Sequence, residues 1–306
     1  MSVTKTLLLK LHRWTSLVFA LPLLAIMLTG LILAFEPMVQ HSGLPHSVDA
    51  TRVIDLLKRY DPDGKARGVF INAAAQRLRF QGPGALQIDL ASGETVAPGL
   101  DFADIIVWAR FNHERLLGQH WLVVTSTVAM LVLMMIGIAM GLPRLRNNLA
   151  GWHKGAAWFT LPAILLCPVT ALGMALGLTL SGSPPAPQGK PLSLPDAVRV
   201  VAQSRDLASV ISIGSRGGTM TARIYDGGEL RLYSVAADGL TALPRNWPRL
   251  IHEGNGAVPV TSLLNVLVSL TLLTLLVTGI ARWWTRGSRL KQVRRDNAAV
   301  ALKSAA

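Results

Sequence analysis

The sequence predicts an α-helical membrane protein with four transmembrane helices that arise from an internal duplication, and with two small α+β domains outside the membrane. Three observations predict this fold class: four long apolar segments, a repeated set of motifs, and two polar segments with helix and strand patterns. The 306 residues have a mean hydropathy of +0.41, and only 15% of them are charged. This composition is too apolar for an ordinary soluble domain.

Four segments have the length and the composition of membrane spans. A hydrocarbon core of about 30 Å requires about 20 apolar residues in a helix. The segments lie at residues 14–35, 121–142, 155–180 and 258–284. The first could instead be a cleaved signal peptide with a basic start. However, its apolar run is longer than a signal core, and Glu36 and Pro37 follow where small cleavage-site residues would be expected.

The basic residues next to the spans predict the orientation of the chain. They occur in the N-terminal flank, in the loop between the second and third spans, and in the C-terminal tail, and all three lie on one side of a four-span topology. We therefore expect this side to be cytoplasmic. The formal net charge of +13 is then explained by topology and by anionic lipid, and nucleic acid is not an expected partner. The flanks and the loop carry Lys5, Lys10, Arg13, Arg144, Arg146, Lys154, Arg282 and Arg286.

Two polar segments, residues 38–112 and 181–251, share a pattern of one helix followed by a small antiparallel sheet. The first runs from "DATRVIDLLKRYDP" through "RGVFINA", "QRLRF" and "ALQIDLASGE". The second begins with "SLPDAVRVVAQS", in which Ser193 can cap a helix and Pro195 lies in its first turn. It continues with "SVISIGS", "TMTARIYDGG" and "LRLYSVAADG". Neither segment shows a nucleophile–base pairing, a phosphate-binding loop or a cluster of metal ligands.

The motifs that flank the first and third spans repeat. "LHRWTSLVFALPLLAIMLTG" aligns with "WHKGAAWFTLPAILLCPVTALG", so that His12 matches His153 and Thr29 matches Thr170. A Leu-Pro pair lies between the matched residues in both copies. The single cysteine, Cys167, lies inside this repeat and is interpreted as a packing residue, since one cysteine excludes an intramolecular disulfide.

The motifs that flank the second and fourth spans repeat as well. "NHERLLGQ" aligns with "IHEGNGAV", which matches His113 with His252, and a short shift then matches Gly137 with Gly279. The chain is thus predicted to be two copies of span, outer domain and span. The expected segments are a first span with a cytoplasmic N-terminus at 1–37, an outer domain at 38–112, a span at 113–143, a cytoplasmic loop at 144–154, a span at 155–180, an outer domain at 181–251, a span at 252–285 and a basic cytoplasmic tail at 286–306.

Topology sorts the four repeated histidines into two pairs, each at the start of a span. His12 and His153 belong to the cytoplasmic side, and His113 and His252 belong to the outer side. Each could simply be an interfacial residue with its ring among the headgroups. Haem is the cofactor that two imidazoles on facing helices can hold, because its iron takes two axial ligands on opposite sides of a flat apolar ring. Zinc would require three or four ligands, and no such set lies near His12.

Several neighbouring residues have open roles. His120 follows His113 by two helical turns, so it could replace His113 as a ligand, bind substrate iron or anchor the helix. His113 is favoured because it has a repeat partner. The basic residues Arg13, Lys154 and Arg115 could contact haem propionates. Two matched pairs before the outer histidines are either substrate-contacting residues or an interfacial belt. These pairs are Trp108 with Trp247 and Arg110 with Arg249.

The motifs "LHRW…TGLILAFEP", "NHERLLGQHW", "GWHKGAAW…T" and "IHEGNG…TGIARWW", together with the two outer segments, resemble the PepSY-associated transmembrane proteins. These are often described as iron-regulated membrane proteins, and the better understood members are similar to inner-membrane ferric-siderophore reductases. The resemblance implies PepSY-like periplasmic domains, a bacterial inner-membrane location with both termini in the cytoplasm, and two haems, of b type with two histidines each. It assigns His12 and His153 to one haem and His113 and His252 to the other. The chain is short for this family, so a substrate-binding insertion is not expected.

The expected activity is the passage of single electrons across the membrane to a ferric siderophore or another iron chelate. The sequence has no Gly-rich flavin or nicotinamide motif, so the electron donor is expected to be external. The alternative is a non-enzymatic envelope scaffold or regulator whose PepSY-like domains bind a protein partner. A third hypothesis, haem or metal transport, would require ionisable groups deep within the spans, and the sequence has almost none.

Overall fold

The computed structural model describes residues 3–44, 46–82, 85–97, 99–142, 146–182 and 192–304. The predicted loop residue Arg144 lies outside the described residues. In chain order, the helices are α1 (Val3–Val18), α2 (Ala20–Ala34), α3 (Glu36–Ser42), α4 (Ala50–Tyr60), α5 (Phe102–Glu114), α6 (His120–Ala139), α7 (Leu149–Phe159), α8 (Leu161–Ala175), α9 (Leu194–Ser204), α10 (Trp247–Glu253) and α11 (Val260–Ser304). The strands are β1 (Gly68–Asn72), β2 (Arg77–Gln81), β3 (Gln87–Asp89), β4 (Val210–Arg216), β5 (Thr219–Asp226), β6 (Glu229–Ala236) and β7 (Gly239–Ala242).

These elements form two compact units. The helical unit comprises Met1–Leu31, Phe111–Leu172 and Leu267–Ala306, and the sheet unit comprises Ile32–Arg110 and Gly173–Val266. Each unit therefore draws on both copies of the predicted repeat.

Three helical segments among the described residues are long and apolar enough to cross a membrane: Ala20–Ser42, His120–Ala139 and Val260–Thr285. Helices α7 and α8 together make a fourth span if they are counted as one, but a bend of 66° separates them. The prediction of one uninterrupted span at 155–180 is therefore corrected. Pro162 explains the break, because proline has no N–H and its ring clashes with the carbonyl one turn earlier. The first repeat is also interrupted, at Phe19, shortly before its own Leu-Pro pair.

The core of the helical unit consists of apolar side chains from α2, α6, α8 and α11. Leu23 and Ile164 are almost fully buried there, and their burial removes apolar surface from contact with solvent or lipid. Close packing of such side chains is what associates helices inside a bilayer, where lipid tails are as apolar as the helices themselves. The buried cluster is Leu23, Met27, Met130, Ile164, Leu272 and Leu276.

The sheet unit contains one seven-stranded antiparallel sheet in the order β3-β2-β1-β4-β5-β6-β7. The helix and strand patterns of both polar segments are confirmed, and Ser193 caps α9 by accepting a hydrogen bond from the Asp196 N–H at 3.2 Å. The expectation of two separate outer domains is corrected, because β1 of the first segment pairs with β4 of the second. This pairing satisfies backbone groups that two separate sheets would leave open at their edges, and it joins both segments in a single core.

Two apolar clusters cover the faces of this sheet. Helices α4 and α9 pack on one face, where Val53, Leu56, Val198 and Ile213 are among the fully buried side chains. The opposite face carries a smaller cluster of Ile211, Tyr225, Leu230 and Val258. The strands alternate between these two faces, as the two-residue period of a β-strand requires.

Candidate functional site: four histidines beside the apolar helices

The two outer histidines do not begin their spans. His113 lies in the last turn of α5, and the span α6 starts only at His120. His252 lies in the last turn of α10, and α11 starts at Val260. The predicted position of these residues at the span starts is therefore wrong. Backbone conformation gives the reason: Gly254 caps the end of α10 with a left-handed φ of 70°, and a turn at Leu117 and Gly118, with φ values of 53° and 77°, separates α5 from α6.

His153 in α7 contacts the hydroxyl group of Thr278 in α11. Its Nδ1 lies 2.8 Å from Thr278 Oγ1. The hydroxyl hydrogen of Thr278 is already donated to the Thr274 carbonyl oxygen, which lies 2.6 Å away. Since a hydroxyl has only one hydrogen, Thr278 accepts from His153 when this hydrogen stays on the Thr274 carbonyl oxygen, and the proton of the neutral ring is then on Nδ1. The lone pair of the ring is then on Nε2, the atom available to a metal.

His113 has the same arrangement on α2. Its Nδ1 lies 3.0 Å from the Ile26 carbonyl oxygen and 3.2 Å from Thr29 Oγ1. A carbonyl oxygen can only accept a hydrogen bond, so Nδ1 of His113 is the donor. Thr29 in turn donates to the Ala25 carbonyl oxygen at 2.8 Å. His113 is thus also held with its lone pair on Nε2.

Each of these two histidine rings packs against a threonine and the glycine that follows it. A Cβ atom built on Gly30 would lie 3.1 Å from Cε1 of His113, and one built on Gly279 would lie 3.7 Å from Cε1 of His153. Glycine permits the close approach of a ring to the helix because it has no Cβ. The threonine that accepts the hydrogen bond directly precedes the glycine in both cases. We define the two Thr-Gly steps, Thr29-Gly30 and Thr278-Gly279, as the histidine seats.

His12 lies in α1 and is half-buried in the helical unit. It is close enough to His153 to interact electrostatically, and Arg282 acts on both residues. Its Nδ1 is buried and has no hydrogen-bond partner among the described residues. The structure thus brings His12 and His153 near one another, as the repeat predicts, but only His153 rests in a histidine seat.

His252 lies in the sheet unit, where Asn265 Nδ2 donates to the His252 carbonyl oxygen at 2.8 Å. The adjacent Glu253 accepts from Arg223 at 2.8 Å and from Asn255 Nδ2 at 2.8 Å, and Arg249 lies 3.2 Å away. Burial raises the pKa of Glu253, but the positive charges of Arg223 and Arg249 outweigh burial and hold this pKa at about 2. The carboxylate next to His252 is therefore ionised across the physiological range.

A second carboxylate belongs to the same buried network of the sheet unit. Glu36 forms a short ion pair with Arg110 and accepts from Gln40 Nε2 at 2.8 Å. Glu36 also interacts electrostatically with Arg223 and Glu253, which joins the two ion pairs. Pairing and hydrogen bonding of this kind offset the desolvation cost of buried charges. Arg110 and Arg249, which the sequence offered as substrate-contacting or interfacial residues, thus bind carboxylates of the chain itself.

The remaining predicted site residues lie at exposed positions. His120 is exposed, and its Nδ1 donates to the Glu114 carbonyl oxygen at 3.2 Å. The two histidines therefore differ in exposure, since His120 is exposed and His113 is half-buried, although Nδ1 is the hydrogen-bond donor in both rings. The candidate propionate or substrate contacts are all exposed, namely Arg13, Lys154, Arg115, Trp108 and Trp247. Their roles stay predictions.

Sequence reasoning missed the ion network and the histidine seats. An acidic residue, Glu36, next to an apolar run was the available signal for the network, because such a residue usually needs a partner. A Thr-Gly pair in the first and fourth apolar segments was the signal for the seats. The described residues contain no group of three or more His, Cys, Asp or Glu side chains that could hold a metal ion.

Several helices are long and apolar enough to cross a bilayer, and the same chain forms the sheet unit. This combination defines a membrane protein with several spans. The chain belongs to the family of the PepSY-associated TM region, whose family model matches residues 9–286. The family resemblance drawn from the motifs is thereby confirmed. No curated protein matches the chain.

Proposed function

We propose that this protein is a di-haem electron-transfer protein of the bacterial inner membrane that reduces ferric chelates, such as iron-loaded siderophores. One observation supports the proposal above all. Nδ1 of His153 and Nδ1 of His113 each lie within hydrogen-bond distance of an oxygen on a neighbouring helix, an arrangement that leaves the Nε2 lone pair for iron when Nδ1 carries the proton. In metal-binding histidines, the nitrogen that does not bind the metal usually donates to an oxygen in this way.

The residues of the helical unit fit one haem between His12 and His153. The two rings come from separate helices, α1 and α7, and Nδ1 of His12 is buried without a hydrogen-bond partner among the described residues. His12 and His153 would hold this haem, and with two histidine ligands it would supply electron transfer rather than oxygen chemistry. His113 and His252 are proposed as the ligands of the second haem because they are matched in the repeat.

When bound, a haem supplies a one-electron Fe(III)/Fe(II) couple. The chain contributes the orientation of the imidazoles and an apolar helical environment that excludes water. An external donor provides each electron, and a ferric chelate near the sheet unit accepts it. Hard oxygen chelators hold Fe(II) less firmly than Fe(III), so reduction promotes release of the iron.

The proposed orientation follows from the basic flanks of the spans. Both termini lie in the cytoplasm, and the sheet unit lies in the periplasm. In this arrangement the pair His12 and His153 belongs to the cytoplasmic side and the pair His113 and His252 to the periplasmic side. The four spans are α2 with α3, α6, the bent pair α7 and α8, and the apolar part of α11.

Absorption spectra of the detergent-purified protein, oxidised and dithionite-reduced, test the proposal together with pyridine haemochrome quantitation. We expect low-spin haem near two per chain, with about half lost in His12→Ala and in His252→Ala. His46→Ala is the matched control, because His46 is exposed and has no role in the proposal, and its haem content should equal that of the wild type. A colourless, folded wild type that takes up no added haem would contradict the proposal and favour the scaffold alternative.

A further inference from the structure

We propose that His12 is the axial ligand that exchanges most readily, so that the haem near the cytoplasmic side takes up a small external ligand in place of His12. This inference rests on the proposed haem function. It comes from a difference between the two copies of the repeat at the histidine seats.

The repeat specifies which residues should seat His12. His12 matches His153, and the match of Gly137 with Gly279 places Ile136 at the position of Thr278. The surrounding main chain obeys the same relation, because His12 interacts with the backbone at Leu133 and His153 with the backbone at Leu275. The two rings therefore approach equivalent turns of α6 and α11.

The two elements that seat His153 are both missing at His12. Ile136 has no hydroxyl group, and Nδ1 of His12 is buried without a hydrogen-bond partner among the described residues. The glycine contact is missing as well, since a Cβ atom built on Gly137 would meet no described atom within 4 Å. The repeat thus keeps the histidine and the glycine, whereas the hydroxyl acceptor and the ring contact occur only in the second copy.

The missing acceptor has a direct consequence for ligand binding. A hydrogen bond from Nδ1 fixes the ring orientation and raises the basicity of Nε2, which strengthens the bond to a metal. His153 has the Thr278 hydroxyl beside its Nδ1, and His12 has no hydroxyl at the equivalent position. A buried ring nitrogen without a partner also carries a desolvation penalty that ring displacement can relieve. His12 should therefore leave the iron first, and His153 should remain bound.

Carbon monoxide binding by the dithionite-reduced, full-length protein tests the inference. In the wild type we expect one of the two haems to bind carbon monoxide, and we expect this binding to persist in His252→Ala. Ile136→Thr gives His12 an acceptor and should slow binding by about tenfold, the factor that one ordinary net hydrogen bond corresponds to. Thr278→Val removes the acceptor of His153 and should speed binding, while Thr278→Ser should behave as the wild type.

Thr274→Val is the matched control for these variants. Thr274 lies one turn before Thr278, is exposed, and donates its hydroxyl to the Leu270 carbonyl oxygen at 2.8 Å. Its substitution should leave the binding rate unchanged.

Three outcomes would overturn the inference: carbon monoxide binding at neither haem, its loss in His252→Ala, or rates that change in neither Ile136→Thr nor Thr278→Val. Failure of the proposed function is distinct from all three, since it would appear as a wild type without haem.

Discussion

The ring of His113 lies so close to Gly30 that a methyl group on this glycine would come within 3.1 Å of the ring's Cε1. Nδ1 of the ring lies within hydrogen-bond distance of the adjacent Thr29 hydroxyl and of the Ile26 carbonyl oxygen. Position 30 thus controls how closely the end of α5 approaches α2. Gly137 on α6, the repeat partner of Gly279, has no such neighbour among the described atoms, which allows a direct comparison of Gly30 with Gly137.

Gly30→Ala should displace His113 and remove about half of the haem, because the added methyl group forces the ring or the helix to move by a few tenths of an ångström. We also expect a loss of about 1–3 kcal/mol in the free energy of unfolding, as is usual for overpacking. Haem quantitation and thermal unfolding in detergent measure both effects. Gly137→Ala is the control and should retain both haems. Equal haem content in the two variants would refute the role of Gly30.

Glu253→Gln should destabilise the sheet unit by about 2–3 kcal/mol, because it leaves Arg223 and Arg249 without their carboxylate partner. The side chains of Arg223 and Glu253 are only 24% and 13% exposed, so water compensates little. Asp63→Asn is the control, since its ion pair with Lys65 is 64% and 72% exposed and should contribute less than about 1 kcal/mol. Thermal unfolding followed by circular dichroism measures both. A Glu253→Gln midpoint no lower than that of Asp63→Asn would contradict the prediction.

Gly68→Ala should disrupt the junction between β1 and β4. A Cβ atom at position 68 would lie 2.6 Å from both the Gly214 Cα and the Ile213 carbonyl oxygen, and neither backbone atom can move without breaking the strand pairing. We expect a destabilisation of at least about 2 kcal/mol. Hydrogen exchange should rise together in the strands of both sequence segments, because they share one core.

The control for the junction is Gly182→Ala, a substitution in the sheet unit where no described atom lies within 4 Å of the added Cβ. It should leave hydrogen exchange unchanged. Faster exchange in only one segment of Gly68→Ala would indicate two independent domains after all.

Tyr225 should make the folded sheet unit sensitive to alkaline pH. Burial raises the pKa of this tyrosine, and the negative charge of Glu36 raises it further. The folded-state pKa thus exceeds the unfolded value of about 10. Its contribution to stability is complete below about pH 10 and is lost as the pH rises through the folded-state pKa. The tyrosinate absorbance of Tyr225, obtained as the difference between wild type and Tyr225→Phe, should appear only above pH 10. Titration of Tyr225 below pH 10 in the folded protein would rule this out.

The local pattern of the sequence was sufficient for most elements. The helix in "DATRVIDLLKRYDP", the Ser193 cap and the strands of both polar segments depend on residues close in the chain, and the structure forms them as expected. The bend between α7 and α8 was also present in the sequence, as Pro162. Apolar length alone does not distinguish a straight span from a broken one.

The sequence by itself determined that this is a membrane protein, since hydropathy is a property of the chain alone, and its matched motifs predict the repeat. It also selected the four histidines. Only the tertiary structure decided that the two polar segments share one sheet, because strand edges of separate segments pair through backbone groups that every sequence has. It likewise decided which oxygen atoms lie beside Nδ1 of His153 and His113, because another helix brings those atoms to the rings.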